Sequence, residues 1–161
     1  MGGSGSNPDP EPDQPSASQS PSEARSGEEP RHILIVEDNR ADVFLIREAI
    51  EAAEIKAELE VVDDGDKAIK FFEAIDLDDR RACPCLLILD INLPKRPGNE
   101  VLAHMRRTRR CPDAQVLVVT SSDSDRDREE MRNLGVKVYF RKPSDYAAFM
   151  KLGDIVKELL G

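Results

Sequence analysis

From His32 to the end of the chain the sequence predicts an α/β domain, a doubly wound five-stranded parallel sheet with helices on both faces. Two observations carry the prediction. Five short apolar runs recur along the chain, separated by segments of helical period. The runs are continuous rather than alternating, so both faces of each strand must be covered, which is the mark of a parallel sheet between helix layers. Five βα units make a (βα)5 domain, and 161 residues suit one domain of roughly 100–200 residues.

The elements follow in order. The first strand is expected over Ile33–Val36, with Asp38 or Asn39 capping a helix that aligns Val43, Ile46, Ile50 and Ala53. The second strand, Leu59–Val62, is placed at an edge of the sheet, and its helix presents Ala68, Phe71, Phe72 and Ile75. Leu86–Leu89 is the third strand. Arg106, Arg107, Arg109 and Arg110 are placed in the last turn of the helix after it, where cations favour the helix dipole. Val116–Val119 is the fourth strand. In the next segment Asp125, Arg126, Asp127, Arg128, Glu129, Glu130 and Arg132 surround only Met131 and Leu134, before Gly135 ends the helix. So few apolar anchors imply weak docking, either as an ordinary solvated helix or as a mobile switch element. The fifth strand is Val136–Phe140, and a final helix with Ser144 as N-cap aligns Tyr146, Phe149, Leu152, Val156 and Leu159.

Residues 1–30 are of another kind. Met1, Ala17 and Ala24 are their apolar side chains, Pro, Ser and Gly dominate, and six acids face a single Arg25. Such a segment buries too little apolar surface to offset its ordering entropy, so a disordered acidic tail is expected ahead of a domain over 31–161. The net charge is −9 and the pI about 4.8, so neither DNA nor an anionic membrane is an expected partner. Apolar runs as short as Leu86–Leu89 fall far below the roughly 18 residues of a membrane span. Three cysteines cannot make a disulfide scaffold, and the odd number fits a reducing compartment, so reduced thiols are expected. Cys83-Pro84-Cys85, with Cys111, His32 and His104, raises zinc, but the pair lacks the usual Cys-x2–4-Cys spacing and a second pair.

The strand ends carry the chemistry. In a sheet of this kind ligands sit outside the carboxyl ends of the strands, near the reversal of strand order. Glu37 and Asp38 follow the first strand, Asp90 the third, Thr120 and Ser121 close the fourth, and the fifth leads to Lys142-Pro143. Three carboxylates in one place repel; each pair costs about 4 kcal/mol at 4 Å and an effective dielectric near 20. A cation relieves this, and all-oxygen ligands suit Mg²⁺. Asp90 is then placed to attack a phosphoryl group as a carboxylate nucleophile, with Lys142 and the Thr120 hydroxyl on the phosphoryl oxygens.

These residues resemble the receiver domain of two-component response regulators, through ILIVEDN (33–39), LLILDINLP (86–94), VLVVTSS (116–122), VKVYFRKP (136–143) and Gly98 opening the third helix. NLPKRPGNEVL (92–102) and YFRKPSDYAAFMKL (139–152) look closest to stand-alone receivers that serve phytochrome-like histidine kinases. The resemblance implies the flavodoxin-like strand order 2-1-3-4-5 and a phosphorelay signalling role rather than an enzyme's. It casts Asp90 as phospho-acceptor and Asp38, Asp90 and the Asn92 backbone carbonyl as Mg²⁺ ligands, with Glu37 acting through water. By the same resemblance Lys142 looks like the phosphate-pairing lysine, Thr120 like the switch hydroxyl and Tyr139 like the switch aromatic. Glu37 replaces a frequent Asp, and Pro97 stands where the family often has Asp.

Eighteen residues after Pro143 hold one helix, so output is expected through protein contact on the face of the fourth helix, fifth strand and fifth helix. A homodimer there would draw on Phe149, Met150 and Leu152. A cytoplasmic location is expected, and the downstream protein is unknown. The rival reading is a haloacid-dehalogenase-like phosphohydrolase using the same Asp nucleophile. That chemistry wants a second Asp two residues on, where this chain has Asn92.

Overall fold

The computed structural model describes residues 31–161; the tail expected over 1–30 lies outside the described residues. The elements run β1 (Arg31–Val36), α1 (Arg40–Ala52), β2 (Ala57–Val62), α2 (Gly65–Leu77), β3 (Leu86–Leu89), α3 (Gly98–Arg106), β4 (Gln115–Thr120), α4 (Asp125–Asn133), β5 (Val138–Arg141), α5 (Tyr146–Met150) and α6 (Leu152–Leu160). All strand pairs are parallel, in the order β2-β1-β3-β4-β5, which is the predicted flavodoxin-like arrangement.

The continuous apolar strands do what their pattern implies. Successive residues point to opposite faces, so Leu34, Val36, Leu87, Leu89 and Val118 pack with Phe72 of α2, Leu102 of α3 and Met131 of α4. Ile33, Ile35, Leu86, Ile88, Leu117 and Val119 face the other way, onto Ile46 and Ile50 of α1, Phe149 of α5 and Leu152 and Val156 of α6. Only β2 alternates, with Glu58 and Glu60 exposed, because as an edge strand it needs less cover.

Of the two candidate caps of α1, Asn39 serves, its side chain accepting from the Ala41 and Asp42 amides. Other local expectations change. Asp145, not Ser144, caps the final helical segment by accepting from the Ala148 amide. That segment is two helices, because i→i−3 bonds from Lys151 to Ala148 and from Asp154 to Lys151 tighten the chain at Lys151. Arg109 and Arg110 lie beyond α3, and their guanidinium groups hydrogen-bond to carbonyls at the C-terminus of α2 (Ile75, Asp76, Asp78). The dipole argument holds, for a different helix. Arg106 donates to the carbonyls of Pro112, Ala114 and Leu134, tying α3 to the end of α4.

The cysteines overturn their expectation. Cys83, before β3, and Cys111, before β4, form a disulfide across 28 positions of sequence, while Cys85 is free and exposed. The adjacent β3 and β4 bring these lead-in segments side by side, which spacing along the chain does not reveal. Phe149 and Leu152, expected to supply a dimer surface, are instead buried against α1 and the sheet, and Met150 is partly exposed.

Gly153 fixes how closely α6 approaches α1. A Cβ there would lie 2.3 Å from the Ala49 carbonyl oxygen and 2.9 Å from the Ala53 Cβ. A helix backbone cannot yield as a side chain does, so Gly153→Ala is expected to destabilise the domain by about 1–3 kcal/mol. Urea unfolding reads this directly, and an unchanged midpoint would show that the helices separate freely.

Candidate functional site

The ladder of the sheet positions the site. The Glu37 amide donates to the Val62 carbonyl and the Asp90 amide to the Val36 carbonyl, each at 3.1 Å, so both residues continue the parallel register past the last paired strand residues. The Lys142 amide donates to the Thr120 carbonyl at 2.8 Å, placing the lysine beside β4. Gly98 completes the frame: a Cβ there would lie 2.5 Å from the Asp90 carbonyl oxygen, so the start of α3 presses directly against the Asp90 backbone.

The predicted charged residues converge. Lys142 Nζ lies 3.2 Å from Asp90 Oδ2 and 2.8 Å from Glu37 Oε1, although these residues stand 52 and 105 positions away in sequence. Glu37, Asp38 and Asp90 each offer a carboxylate oxygen within 4.8 Å of the others, with Asp38 exposed and the other two buried. The Asn92 amide donates to Asp90 Oδ1 at 3.2 Å, and the Asn39 amide to Glu37 Oε2 at 3.1 Å.

Asp42, in the first turn of α1, is the residue that sequence reasoning missed. Its Oδ2 lies 2.7 Å from Lys142 Nζ, the shortest of the lysine's three carboxylate contacts. Its signal, an acid one helical turn after Asp38, is also what any helix N-terminus favours, and so did not stand out.

Burial raises the Glu37 carboxyl to about 7; the Lys142 contact opposes the rise and the Asp90 charge adds to it. Burial disfavours the Lys142 ammonium, yet its contacts with Asp42 and Glu37 and the charge of Asp90 outweigh this and hold it above the usual lysine range. Glu37 Oε1 is fully buried and accepts no hydrogen bond, the Lys142 contact being an ion pair without hydrogen-bond geometry. An under-satisfied carboxylate oxygen among three oxygen donors is the donor set of a hard divalent cation.

Thr120 is fully buried at the end of β4. Its Oγ1 accepts from the Ser122 amide, the Ser122 hydroxyl donates to Asp127 of α4, and the Ser122 carbonyl accepts from the Tyr139 hydroxyl. Arg128 of α4 lies over the Tyr139 ring, 4.4 Å from its centroid. Thr120 and Tyr139 therefore meet through Ser122. The zinc residues do not assemble: Cys83 and Cys111 are paired with each other and His32 faces Glu60 at 3.4 Å. Among the described residues only Glu37, Asp38 and Asp90 form a group of metal-ligating type.

A flavodoxin-like sheet with an acidic cluster and an ion-paired lysine at the carboxyl ends of its strands defines the class of phosphorelay signalling domains. The family model of the response regulator receiver domain matches residues 33–152, and the chain belongs to that family. It is 32% identical over 123 residues to the response regulator Rcp1 of Synechocystis, covering 76% of this chain and 84% of the relative. It is 33% identical over 131 residues to the probable methanogenesis regulatory protein FilR2 of Methanothrix harundinacea, covering 81% and 84%. The crystal structure of the phosphorylated cyanobacterial phytochrome response regulator RcpA superposes with a TM-score of 0.73 at 29% identity, covering 82% of this chain and 94% of that one. The Mn²⁺-bound form of Rcp1 superposes at 0.71 and 31% identity, covering 80% and 93%. The chain is thus a two-component response regulator receiver domain, and nothing supports the haloacid-dehalogenase alternative. No described helix is long and apolar enough to cross a membrane.

Because the native Glu37 carboxyl titrates near 7 and the unfolded one near 4.5, the folded chain holds more protons between those values. In metal-free buffer, stability relative to Glu37→Gln is expected to fall by up to about 3 kcal/mol from pH 4.5 to 7 and then to level off. Denaturation of both proteins across that range checks it; a difference independent of pH would show that burial does not perturb Glu37.

Proposed function

We propose that Asp90 is the phospho-acceptor of this receiver, taking a phosphoryl group from a histidine kinase and signalling through protein contact. The observation that carries the reading is the placing of Lys142 Nζ 3.2 Å from Asp90 Oδ2, inside the Glu37–Asp38–Asp90 cluster. In the transfer, an Asp90 carboxylate oxygen forms the new bond to phosphorus while the phosphorus–nitrogen bond of the kinase phosphohistidine breaks. The electron pair leaves with the imidazole. A carboxylate is already deprotonated, so no general base is needed.

Asp38, Asp90 and the Asn92 backbone carbonyl would hold Mg²⁺ directly, with Glu37 acting through water. When bound, the ion supplies neutralisation of phosphoryl charge. Lys142 pairs with one phosphoryl oxygen, and Thr120 moves to hydrogen-bond another. That movement pulls on the Ser122 amide and so disturbs the contact that holds the Tyr139 hydroxyl, letting Tyr139 turn inward. A charge of about −2 thereby biases a two-state element, the α4–β5–α5 face, toward its partner. The domain acts in the cytoplasm as a signalling module rather than a turnover enzyme. Its similarity to phytochrome response regulators supports a phytochrome-like kinase as donor. A homodimer on this face is one form the output contact takes, with Met150 the remaining candidate for its apolar part.

Acetyl phosphate with Mg²⁺ is expected to label the protein to about one phosphoryl group per chain. Asp90→Asn and Asp90→Ala should each abolish labelling, followed by phosphate-affinity electrophoresis and intact mass. Undiminished labelling of both variants overturns the role of Asp90, and sustained hydrolysis of p-nitrophenyl phosphate overturns the signalling reading.

A further inference from the structure

We infer that Asp42 is a positioning residue that supplies Lys142 with a counter-charge of its own, so that ammonium and divalent cation occupy the same acidic pocket without competing. The inference rests on the metal and phosphate chemistry proposed above and assigns a further residue to it.

An ammonium has three N–H donors. Here the ammonium meets three carboxylates, hydrogen-bonding to Asp42 at 2.7 Å and Asp90 at 3.2 Å and ion-pairing with Glu37 at 2.8 Å. Glu37 and Asp90 also belong to the group of oxygens within 4.8 Å of one another that can hold a metal, and Asp42 does not. Two of the lysine's three partners are therefore shared with the cation site. A divalent ion placed there draws on the charge of Glu37 and Asp90 and repels the ammonium. Lys142 is nearly enclosed, its side chain 10% exposed, so it cannot retreat into water without losing its stem packing. Asp42 is the anion left to it.

The placement suits that role. Asp42 projects from the first turn of α1, whose N-terminus is held by the Asn39 cap. Its carboxylate is thus carried by a rigid element rather than by the loop bearing Asp38. It keeps Lys142 beside Asp90 in a metal-loaded site, where the donor released from Asp90 can turn to a phosphoryl oxygen. With Asp42 neutralised, the lysine leans on Glu37 and Asp90, and the metal must displace it.

A double-mutant cycle on the full chain tests this, read as Mg²⁺ and Mn²⁺ affinity by isothermal titration calorimetry in the absence of any phosphodonor. Asp42→Asn is expected to weaken binding by about fivefold or more, the scale of a modest coupling between sites. Lys142→Ala alone should change it by less than about twofold, because Asp42 already keeps the ammonium from competing. In the Lys142→Ala background, adding Asp42→Asn should change the affinity by less than about twofold, since Asp42 then has no lysine to hold. Equal losses in both backgrounds would mean that Asp42 acts on the metal by its charge alone, and no loss in either would mean that it has no part in the site; both results overturn the inference while leaving the proposed function standing. Absence of metal binding by the unsubstituted protein overturns the two together. Thermal unfolding of each variant confirms that a folded chain is being compared, and Asp42→Glu, which keeps the charge, should restore part of the affinity.

Discussion

One buried ammonium among carboxylates is the constraint on which the rest of this domain depends. Two unit charges at 4 Å interact by about 4 kcal/mol at an effective dielectric near 20, so gathering Glu37, Asp38 and Asp90 in one place costs energy unless a cation compensates. Lys142 does so in the metal-free protein, and incompletely: Glu37 still carries a carboxyl raised to about 7, chiefly by its own burial. A site in that condition is poised for a cation. Its stability is held back at neutral pH by a charge that only further positive charge relieves, and an arriving divalent ion meets oxygens that are already gathered.

The sheet makes that gathering unavoidable. Register carries Glu37 and Asp90 past the ends of β1 and β3 as neighbours, because Val36 already pairs with Leu89. The same register brings Lys142 alongside Thr120. Apolar residues on both faces of β1, β3 and β4 lock the register, since a slip by one residue would turn each buried side chain to the opposite layer. Gly98 closes the remaining freedom by letting α3 touch the Asp90 backbone. The core thus sets the geometry of the polar site, although none of its side chains does the chemistry.

This division explains what could be read from the chain and what could not. Strands announce themselves as apolar runs, and in a parallel sheet their carboxyl ends share one side, so Glu37, Asp38, Asp90, Thr120 and Lys142 could be assembled without coordinates. Asp42 is offset from a strand end by a helical turn, where an acid has an ordinary explanation. Arg109 and Arg110 serve the end of a helix other than the one they follow, and Cys83 meets Cys111 through the adjacency of β3 and β4. These are contacts between elements, whereas sequence patterns report each element's own period. The odd cysteine count misled for the same reason, since a leftover thiol, Cys85, does not prevent the other two from pairing. Phe149 and Leu152 are expected at a dimer surface because the resemblance places homodimers on the fifth-helix face, but their apolar stripe is the one covering the sheet.

The weak docking foreseen for α4 takes its meaning from the hydrogen bonds around Ser122. Of the residues of α4 only Met131 is buried, so little apolar area fixes the helix to the core. Its first turn is held instead by polar contacts: Ser122 to Asp127, the Ser124 cap, and Arg128 on the face of Tyr139. Exchanging such contacts costs far less than repacking a core, because water replaces each lost partner. Ser122 bonds to Thr120 on one side and to Tyr139 and Asp127 on the other, so a shift of the buried threonine cannot leave both of the outer contacts intact. A helix anchored by one methionine and a polar latch can answer a displacement at the Asp90 site without unfolding. A helix anchored by a full apolar stripe, as α1 and α6 are, would absorb it.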